Sequence, residues 1–118
     1  MKVVDLIHTR GDTKYLILKL NYLSGETVEY NPNAKIFFTV KSNPNNTDFI
    51  LQKKIGSGIE YCQDIQSYRV KISASDTSNM PLGIYYYDVA VIIEDDEYTV
   101  TKGKFILEYD VTHPENEV

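Results

Sequence analysis

The sequence predicts an all-β fold, a two-sheet Greek-key sandwich of about seven to nine strands. Short stretches in which apolar and polar residues alternate recur along the 118-residue chain, as they do in half-buried strands. Clusters of Gly, Pro, Asn and Asp lie between these stretches and favour turns. Ten tyrosines and four phenylalanines supply rings that pack well on pleated surfaces. A closed barrel is the alternative architecture, and no stretch predicts a helix.

Before the last third of the chain, the alternation predicts strands over residues 2–8, 14–22, 35–41, 49–53 and 67–73, the fourth of them at a sheet edge. Side chains on a strand point alternately to its two sides. Leu16 and Phe38 are therefore predicted to point inward, whereas Tyr15, Ile17 and Phe37 point outward.

The last third of the chain predicts a long β-hairpin. A strand over residues 84–93 is followed by four acidic residues at 94–97, and the chain returns over residues 98–110. Tyr98 and Phe105 are an odd number of residues apart, so in a regular strand their side chains would point to opposite sides. The return strand therefore needs one extra residue for both side chains to reach the core. Gly103 is the predicted site of this β-bulge, because glycine adopts a positive φ without strain.

A turn just before the first strand of this hairpin refines the fold prediction. Met80-Pro81-Leu82-Gly83 precedes Tyr85. Immunoglobulin-like sandwiches often place a tyrosine at this point, with its hydroxyl bonded back to the preceding corner. Tyr85 is the first choice for this structural tyrosine corner and Tyr87 the second. The predicted organisation is one immunoglobulin-like domain over residues 1–112 and a flexible tail over residues 113–118.

Composition excludes several classes of function. A net charge of −5 argues against a nucleic-acid groove and against docking on anionic lipid, since both need clustered Lys and Arg. No apolar run approaches the roughly 20 residues of a membrane span, and charges interrupt the first residues too early for a secretion signal. Cys62 is the only cysteine, so no internal disulfide forms, which fits a reducing compartment.

Candidate chemical motifs favour structural explanations. Arg10-Gly11-Asp12 matches an adhesion tripeptide, but these residues are ordinary turn formers. The acidic run at 94–97 is typical of a solvated hairpin, because neighbouring side chains cannot all converge on one calcium ion. The sequence has two histidines and no pattern that pairs a nucleophile with a base, so it suggests no set of catalytic residues. We therefore expect a protein that is not an enzyme and has no cofactor, metal site or small-molecule substrate.

The outward side chains predict an interface instead. If the third, penultimate and last strands share a sheet, Phe37, Tyr86, Ala90 and Ile92 form one exposed apolar patch. A free monomer seldom exposes such a patch without a partner. The alternative is that scattered outward aromatic rings cap the sheet or lie under a loop.

Several segments together resemble one known family. The segments are Arg10-Gly11-Asp12-Thr13, Ile36-Phe37-Phe38-Thr39-Val40-Lys41, Gly83-Ile84-Tyr85-Tyr86-Tyr87-Asp88-Val89, Thr99-Val100-Thr101-Lys102-Gly103-Lys104-Phe105 and Asp110-Val111-Thr112. Their order is similar to that of immunoglobulin-like modules of tailed-phage structural proteins, notably the N-terminal module of the baseplate upper protein.

The resemblance implies a virion component of the tail, baseplate or capsid surface, assembled in the bacterial host cytoplasm and held by contacts with other virion proteins or with itself. In baseplate proteins further chain follows such a module, whereas this sequence stops soon after it. A decoration, adaptor or fibre-attachment protein fits that length. Two alternatives remain: a carbohydrate-binding or adhesive module, and a bacterial protein of unrelated function that shares the fold.

Overall fold

The structure, a computed structural model, describes residues 2–21 and 30–111. This part of the chain is almost entirely β-strand, with one turn of 3₁₀ helix (Gln63–Ile65) and one turn of α-helix, α1 (Ala74–Thr77). Its strands are β1 (Lys2–Val3), β2 (Leu6–Thr9), β3 (Lys14–Leu18), β4 (Lys35–Lys41), β5 (Leu51–Ile55), β6 (Gly58–Cys62), β7 (Ser67–Ile72), β8 (Gly83–Ile93) and β9 (Asp96–Glu108). The all-β prediction is confirmed.

The strands form one continuous mixed sheet that curls around a core. Their order is β1-β9-β8-β4-β5-β6-β7-β3, and β2 follows β1 along β9. The pairs β1–β9, β2–β9 and β5–β6 are parallel, and the others are antiparallel. The strands predicted to share a sheet, β4, β8 and β9, are neighbours as expected.

The core is built from the inward sides of both ends of this sheet. Phe38 of β4 and Val89 of β8 lie in the same cluster as Val70 of β7, although β7 is far from β4 in the sheet order. The Phe38 ring lies 5.5 Å from that of Tyr87 and 6.5 Å from that of Phe105. Burying each large apolar side chain contributes about 1.5–3 kcal/mol. The alternation of the sequence therefore lets the two ends of the sheet share one core.

Several strand boundaries differ from the prediction. The first predicted strand is divided into β1 and β2 at Val4 and Asp5, where Asp5 Oδ1 accepts a hydrogen bond from the backbone N–H of Lys104. The prediction that the fourth strand lies at an edge is wrong, because β5 pairs with both β4 and β6. Strand β6 was not predicted, although Ile59 and Tyr61 alternate with polar residues there.

The β-bulge lies at Val100 and not at Gly103. Val89 pairs with Thr101 and Ala90 with Thr99, so Val100 is the extra residue. A bulge in β9 was correctly expected, but its position was wrong because Gly103 serves a different purpose. Gly103 pairs regularly with Tyr87, and a Cβ there would lie 2.1 Å from the carbonyl oxygen of Val4. The absence of a side chain lets β1 pack onto β9.

The corner before β8 is held by local hydrogen bonds. Tyr85 is buried, and its hydroxyl donates to the carbonyl oxygen of Pro81, the backward contact that its position predicts. The Tyr87 hydroxyl instead donates to the carbonyl oxygen of Val4, 2.5 Å away. The short helix α1 was not predicted. It begins after Ser73, whose backbone N–H donates to Asp76 Oδ2 at 2.7 Å in a capping box.

Two predictions concern residues outside the described ranges. These are the C-terminal end of the second predicted strand, at Tyr22, and the flexible tail over residues 113–118.

Candidate interaction face

One side of the curled sheet points away from the core and carries the predicted interface residues. We call this side the outer face. It comprises Ile84, Tyr86, Asp88, Ala90 and Ile92 of β8, and the residues of β2, β9, β4 and β5 that point the same way. The alternation in β8 is regular, since Tyr85, Tyr87, Val89 and Val91 are buried and the residues between them are half-buried.

The structure brings the four predicted residues onto this face together. Phe37 of β4 pairs directly with Ala90, and Ile92 and Tyr86 lie on the same side of β8. All four are half-buried, which differs from the freely exposed patch that was expected. Long side chains of neighbouring strands flank them, among them Lys54, which pairs with Phe37, and Lys41, which pairs with Tyr86. The stems of these lysines can cover apolar surface while their ammonium groups stay in water.

A second apolar group on the outer face was not predicted. Ile7 of β2 pairs with Ile106 of β9, and Ile106 pairs with Ile84 of β8. We call these three residues the isoleucine row. Ile7 and Ile84 are 55% and 54% exposed, respectively. Ile84 shares its parity with Tyr86 in the sequence, but the alignment of the row depends on strand pairing that the sequence does not reveal.

Charged side chains occupy the middle of the outer face. Asp88 pairs with Lys102 of β9, and Asp5 lies beside Lys104. Burial raises the pKa of the Asp88 carboxyl, and Glu97 raises it further, whereas Lys41 opposes the shift. Among the described residues neither Asp88 nor Lys102 makes a salt bridge. The Asp88 carboxyl is therefore partly desolvated and makes no salt bridge within the described residues.

Part of the outer face forms an open groove beside the segment that joins β4 to β5. The groove has a volume of about 700 Å³ and is lined by the rings of Phe37, Phe49 and Tyr86 and by polar groups that include Asp88 and Gln52. Gln52 Nε2 donates to Thr39 Oγ1 at 3.1 Å on the groove floor. Apolar rings beside polar groups of this kind are typical of binding surfaces.

The opposite side of the molecule is formed by β3, β7 and β6. Tyr15 and Ile17 point outward as predicted and are 47% and 54% exposed. The Arg69 guanidinium lies 4.7 Å from the centre of the Tyr15 ring, and Arg69 also pairs with Glu60. Arg69 thereby covers part of the Tyr15 ring.

The Arg10-Gly11-Asp12 segment is a turn, as predicted. The Asp12 N–H donates to the Thr9 carbonyl at 3.1 Å, and the Gly11 N–H donates to Thr77 Oγ1 at 2.9 Å. Arg10 Nε lies 3.3 Å from Asp110 Oδ1. These contacts tie the turn to α1 and to the end of β9.

Other candidate sites from the sequence have simple positions in the structure. Cys62 is a half-buried free thiol at the end of β6. Within residues 2–21 and 30–111, no three His, Cys, Asp or Glu side chains are grouped so that they could hold a metal ion. In the same part of the chain, no helix is long and apolar enough to cross a membrane.

Comparison of the sequence with models of protein families and with curated proteins finds no match to this chain.

Proposed function

We propose that this chain is a non-enzymatic structural protein of a tailed-phage virion, a tail, baseplate or capsid-surface component that acts through protein–protein contacts. The observation that carries the proposal is the outer face, where Phe37, Tyr86, Ala90 and Ile92 lie together and are only half-buried. Apolar surface that neighbouring lysine stems cover only in part favours an interaction site. The motif order described above supplies the link to phage modules.

We further propose that the curled sheet is an immunoglobulin-like two-sheet sandwich. The link between its two ends is narrow, because β5 and β6 pair only through Lys54–Gly58 and Ile55–Ile59. On either side of this link, the order β9-β8-β4-β5 and the order β6-β7-β3 match two facing sheets with Greek-key connections. The Tyr85–Pro81 hydrogen bond corresponds to the tyrosine corner of such sandwiches.

The outer face suits a protein partner for physical reasons. Its apolar rows lie at both ends, and charged residues lie between them, so apolar burial and charge complementarity can both contribute to docking. The strands at its centre, β8 and β9, are the longest of the described strands and pair with each other along β8, so a partner can dock on regular, hydrogen-bonded backbone.

Mass spectrometry of purified particles tests the virion assignment. Particles produced from the genome that encodes this chain are expected to contain it at a fixed copy number. Genes for capsid, portal or tail proteins are expected beside its gene. Particles without the chain, or a gene among unrelated metabolic genes, would contradict the proposal and favour a bacterial protein of other function.

The groove favours a second candidate function, carbohydrate binding. Phe37, Phe49 and Tyr86 offer ring faces, and Asp88 and Gln52 offer polar groups that could bond to sugar hydroxyls. A glycan array with the intact chain distinguishes this function. Binding that is lost in Tyr86→Ala but retained in Tyr15→Ala, whose ring lies on the opposite side, would establish it in place of protein docking.

A further inference from the structure

We propose that the outer face binds the outer face of a second copy of this chain, about a twofold axis that runs between β8 and β9 along the strands. The inference rests on the proposed function in taking the outer face as the docking surface, and it names the partner.

The axis determines which residues meet. It places β8 of one copy over β9 of the other, and β4 of one copy over the β1–β2 segment of the other. Residues that pair across neighbouring strands form rows that run across the face. The twofold axis places each row opposite the same row of the second copy, with the order of its residues reversed. Face-to-face sheets stack about 10 Å apart, and each row lies opposite itself where the strands of the two copies run nearly parallel.

The isoleucine row meets its own copy under this symmetry. Ile84 of one chain faces Ile106 of the other, and the reverse contact follows from the twofold axis. In the next row Tyr86 faces Lys104 of the second copy, which places an ammonium group over an aromatic ring. Towards the other end, Ala90 faces Thr99, so small side chains allow close approach.

Charges on the outer face are complementary under the same symmetry. Asp88 of one copy faces Lys102 of the other, because these two residues pair across β8 and β9. Lys41 lies in the row of Tyr86 and Lys104, and Asp5 lies at the other end of that row beside Lys104. Lys41 therefore faces Asp5 of the second copy. Each contact occurs twice, and no like charges are directly opposed.

The area of the face lies at the lower end of the range for a specific pair. Strands β8, β9, β4 and the β1–β2 segment, about 4.8 Å apart and about 3.4 Å long for each residue, give roughly 600 Å². Specific interfaces bury about 600–1,000 Å² on each partner. Pairing would also surround Asp88 and Lys102 with opposite charge, where each copy alone leaves them without a salt bridge.

Complementary charge variants test the pairing. In a pair of Lys41→Glu chains, each new glutamate lies opposite Asp5 of the other chain. In a pair of Asp5→Lys chains, each new lysine lies opposite Lys41 of the other chain. Within one chain, Lys41→Glu adds a negative charge near Asp88 and Asp5→Lys adds a positive charge beside Lys104, so the free energy of unfolding of each variant is measured alongside its dissociation constant. Sedimentation equilibrium in low salt should give a dimer for the unchanged chain. Each variant should raise the dissociation constant roughly tenfold or more, since two attractive contacts become repulsive.

An equal mixture of the two variants provides the decisive measurement. In a mixed pair every Lys41–Asp5 contact is again between opposite charges, so heterodimers should form with nearly the original dissociation constant. Lys71→Glu, an exposed change on β7 at the opposite side, is the matched control and should leave dimerisation unchanged. Circular dichroism of each variant confirms that it is folded.

The outcomes separate this inference from the proposed function. A chain that stays monomeric up to millimolar concentration, or variants whose mixture does not reassociate, would overturn the face-to-face pair. If such a chain were still found in virions, another virion protein would occupy the outer face and the proposed function would stand. A dimer that forms in a chain absent from virions would support the pair and overturn the virion assignment.

Discussion

At the scale of single residues, His8 is the most unusual buried group. It is 2% exposed and stacks on Phe105, with ring centres 5.6 Å apart. Its Nε2 lies 3.1 Å from the carbonyl oxygen of Asp12, so this nitrogen carries the hydrogen, and Nδ1 has no partner among the described residues. Protonation would place a charged donor on Nδ1 where nothing can accept its bond.

We expect the stability of the protein to decrease in mild acid because of His8. Burial and the charge of Lys14 lower the pKa of His8 below 6.5, and this outweighs Asp12 and Asp76, which raise it. The unfolded chain therefore binds the proton more readily, so the contribution of His8 is complete above pH 6.5 and declines as the pH falls. Urea unfolding at several pH values between 7.5 and 5 measures the decline.

The His8→Phe variant, which cannot titrate, should lose this part of the pH dependence. His113→Gln, a change in the only other histidine, should retain it. Equal pH dependence in all three proteins would show that the imidazole of His8 is not responsible.

Asp76 illustrates how burial determines the strength of an ion pair. Its Oδ2 lies 2.7 Å from Lys53 Nζ, and the two side chains are 18% and 14% exposed. The same oxygen caps the first turn of α1. Glu60 and Arg69 form a comparable pair, but both side chains are much more exposed.

Asp76→Ala should therefore lower the free energy of unfolding by roughly 2 kcal/mol, since it removes a helix cap and a shielded ion pair. Glu60→Ala, the matched exposed change, should have little effect because water screens that pair. Thermal unfolding followed by circular dichroism compares them, and equal losses would contradict the dependence on burial.

At the scale of elements, β9 combines two irregular positions with different purposes. Val100 is the extra residue of a bulge, and Gly103 provides space for Val4. Deleting Val100 leaves a regular ladder, in which Thr99 and Thr101 become adjacent and still point to opposite sides. Deleting Gly103 moves Lys102 into the position opposite Tyr87 and reverses the facing of the residues before it.

We expect the two deletions to differ greatly in stability. Loss of Val100 should lower the free energy of unfolding by about 1–2 kcal/mol, the value of one half-buried side chain. Loss of Gly103 should lower it by more than about 4 kcal/mol or prevent folding. Urea unfolding measures both, and a Gly103 deletion that is as stable as the Val100 deletion would contradict the register of β8 and β9.

At the scale of the whole molecule, both ends of the curled sheet depend on one core. Val70 and Ile72 of β7 bury their side chains in the same cluster as Phe38 and Val89. The Gly11–Thr77 and Lys53–Asp76 contacts further join distant segments of the chain. Neither end can separate without exposing the apolar side chains of the other.

The protein should therefore unfold in a single cooperative transition. Far-ultraviolet circular dichroism, which reports strands, and tyrosine fluorescence, which reports packing and meets no interference from tryptophan, should give coincident curves in urea. Two separate transitions would show that the narrow β5–β6 link divides the chain into independent units.

The sequence predicted the strands that have one buried and one outward side. In β4 and β8, Phe38 and Val89 alternate with half-buried neighbours, so the two-residue period of apolar side chains was enough to locate both strands. Strand β6 was missed because its alternation, at Ile59 and Tyr61, covers only five residues between turn formers. The bulge was misplaced because glycine has two structural uses, positive φ and close approach, and Gly103 serves the second.

The candidate interface was predictable only within single strands. Tyr86, Ala90 and Ile92 share one parity in β8, and the same rule would have added Ile84 and Asp88. The isoleucine row and the positions of Lys102 and Asp5 depend on register between strands distant in sequence. Register is set by the whole core, so periodicity in one strand does not determine it.

Strand β3 ends the order of the sheet, and among the described strands only β7 pairs with it. No other strand of residues 2–21 and 30–111 pairs with its outer backbone donors and acceptors, and such an edge can pair with an extended polypeptide. Lys14 at its start and Lys19 just beyond its end put an ammonium group at each end of this short ladder. A further chain that extends the ladder must accommodate both cations, which disfavours edge-to-edge pairing.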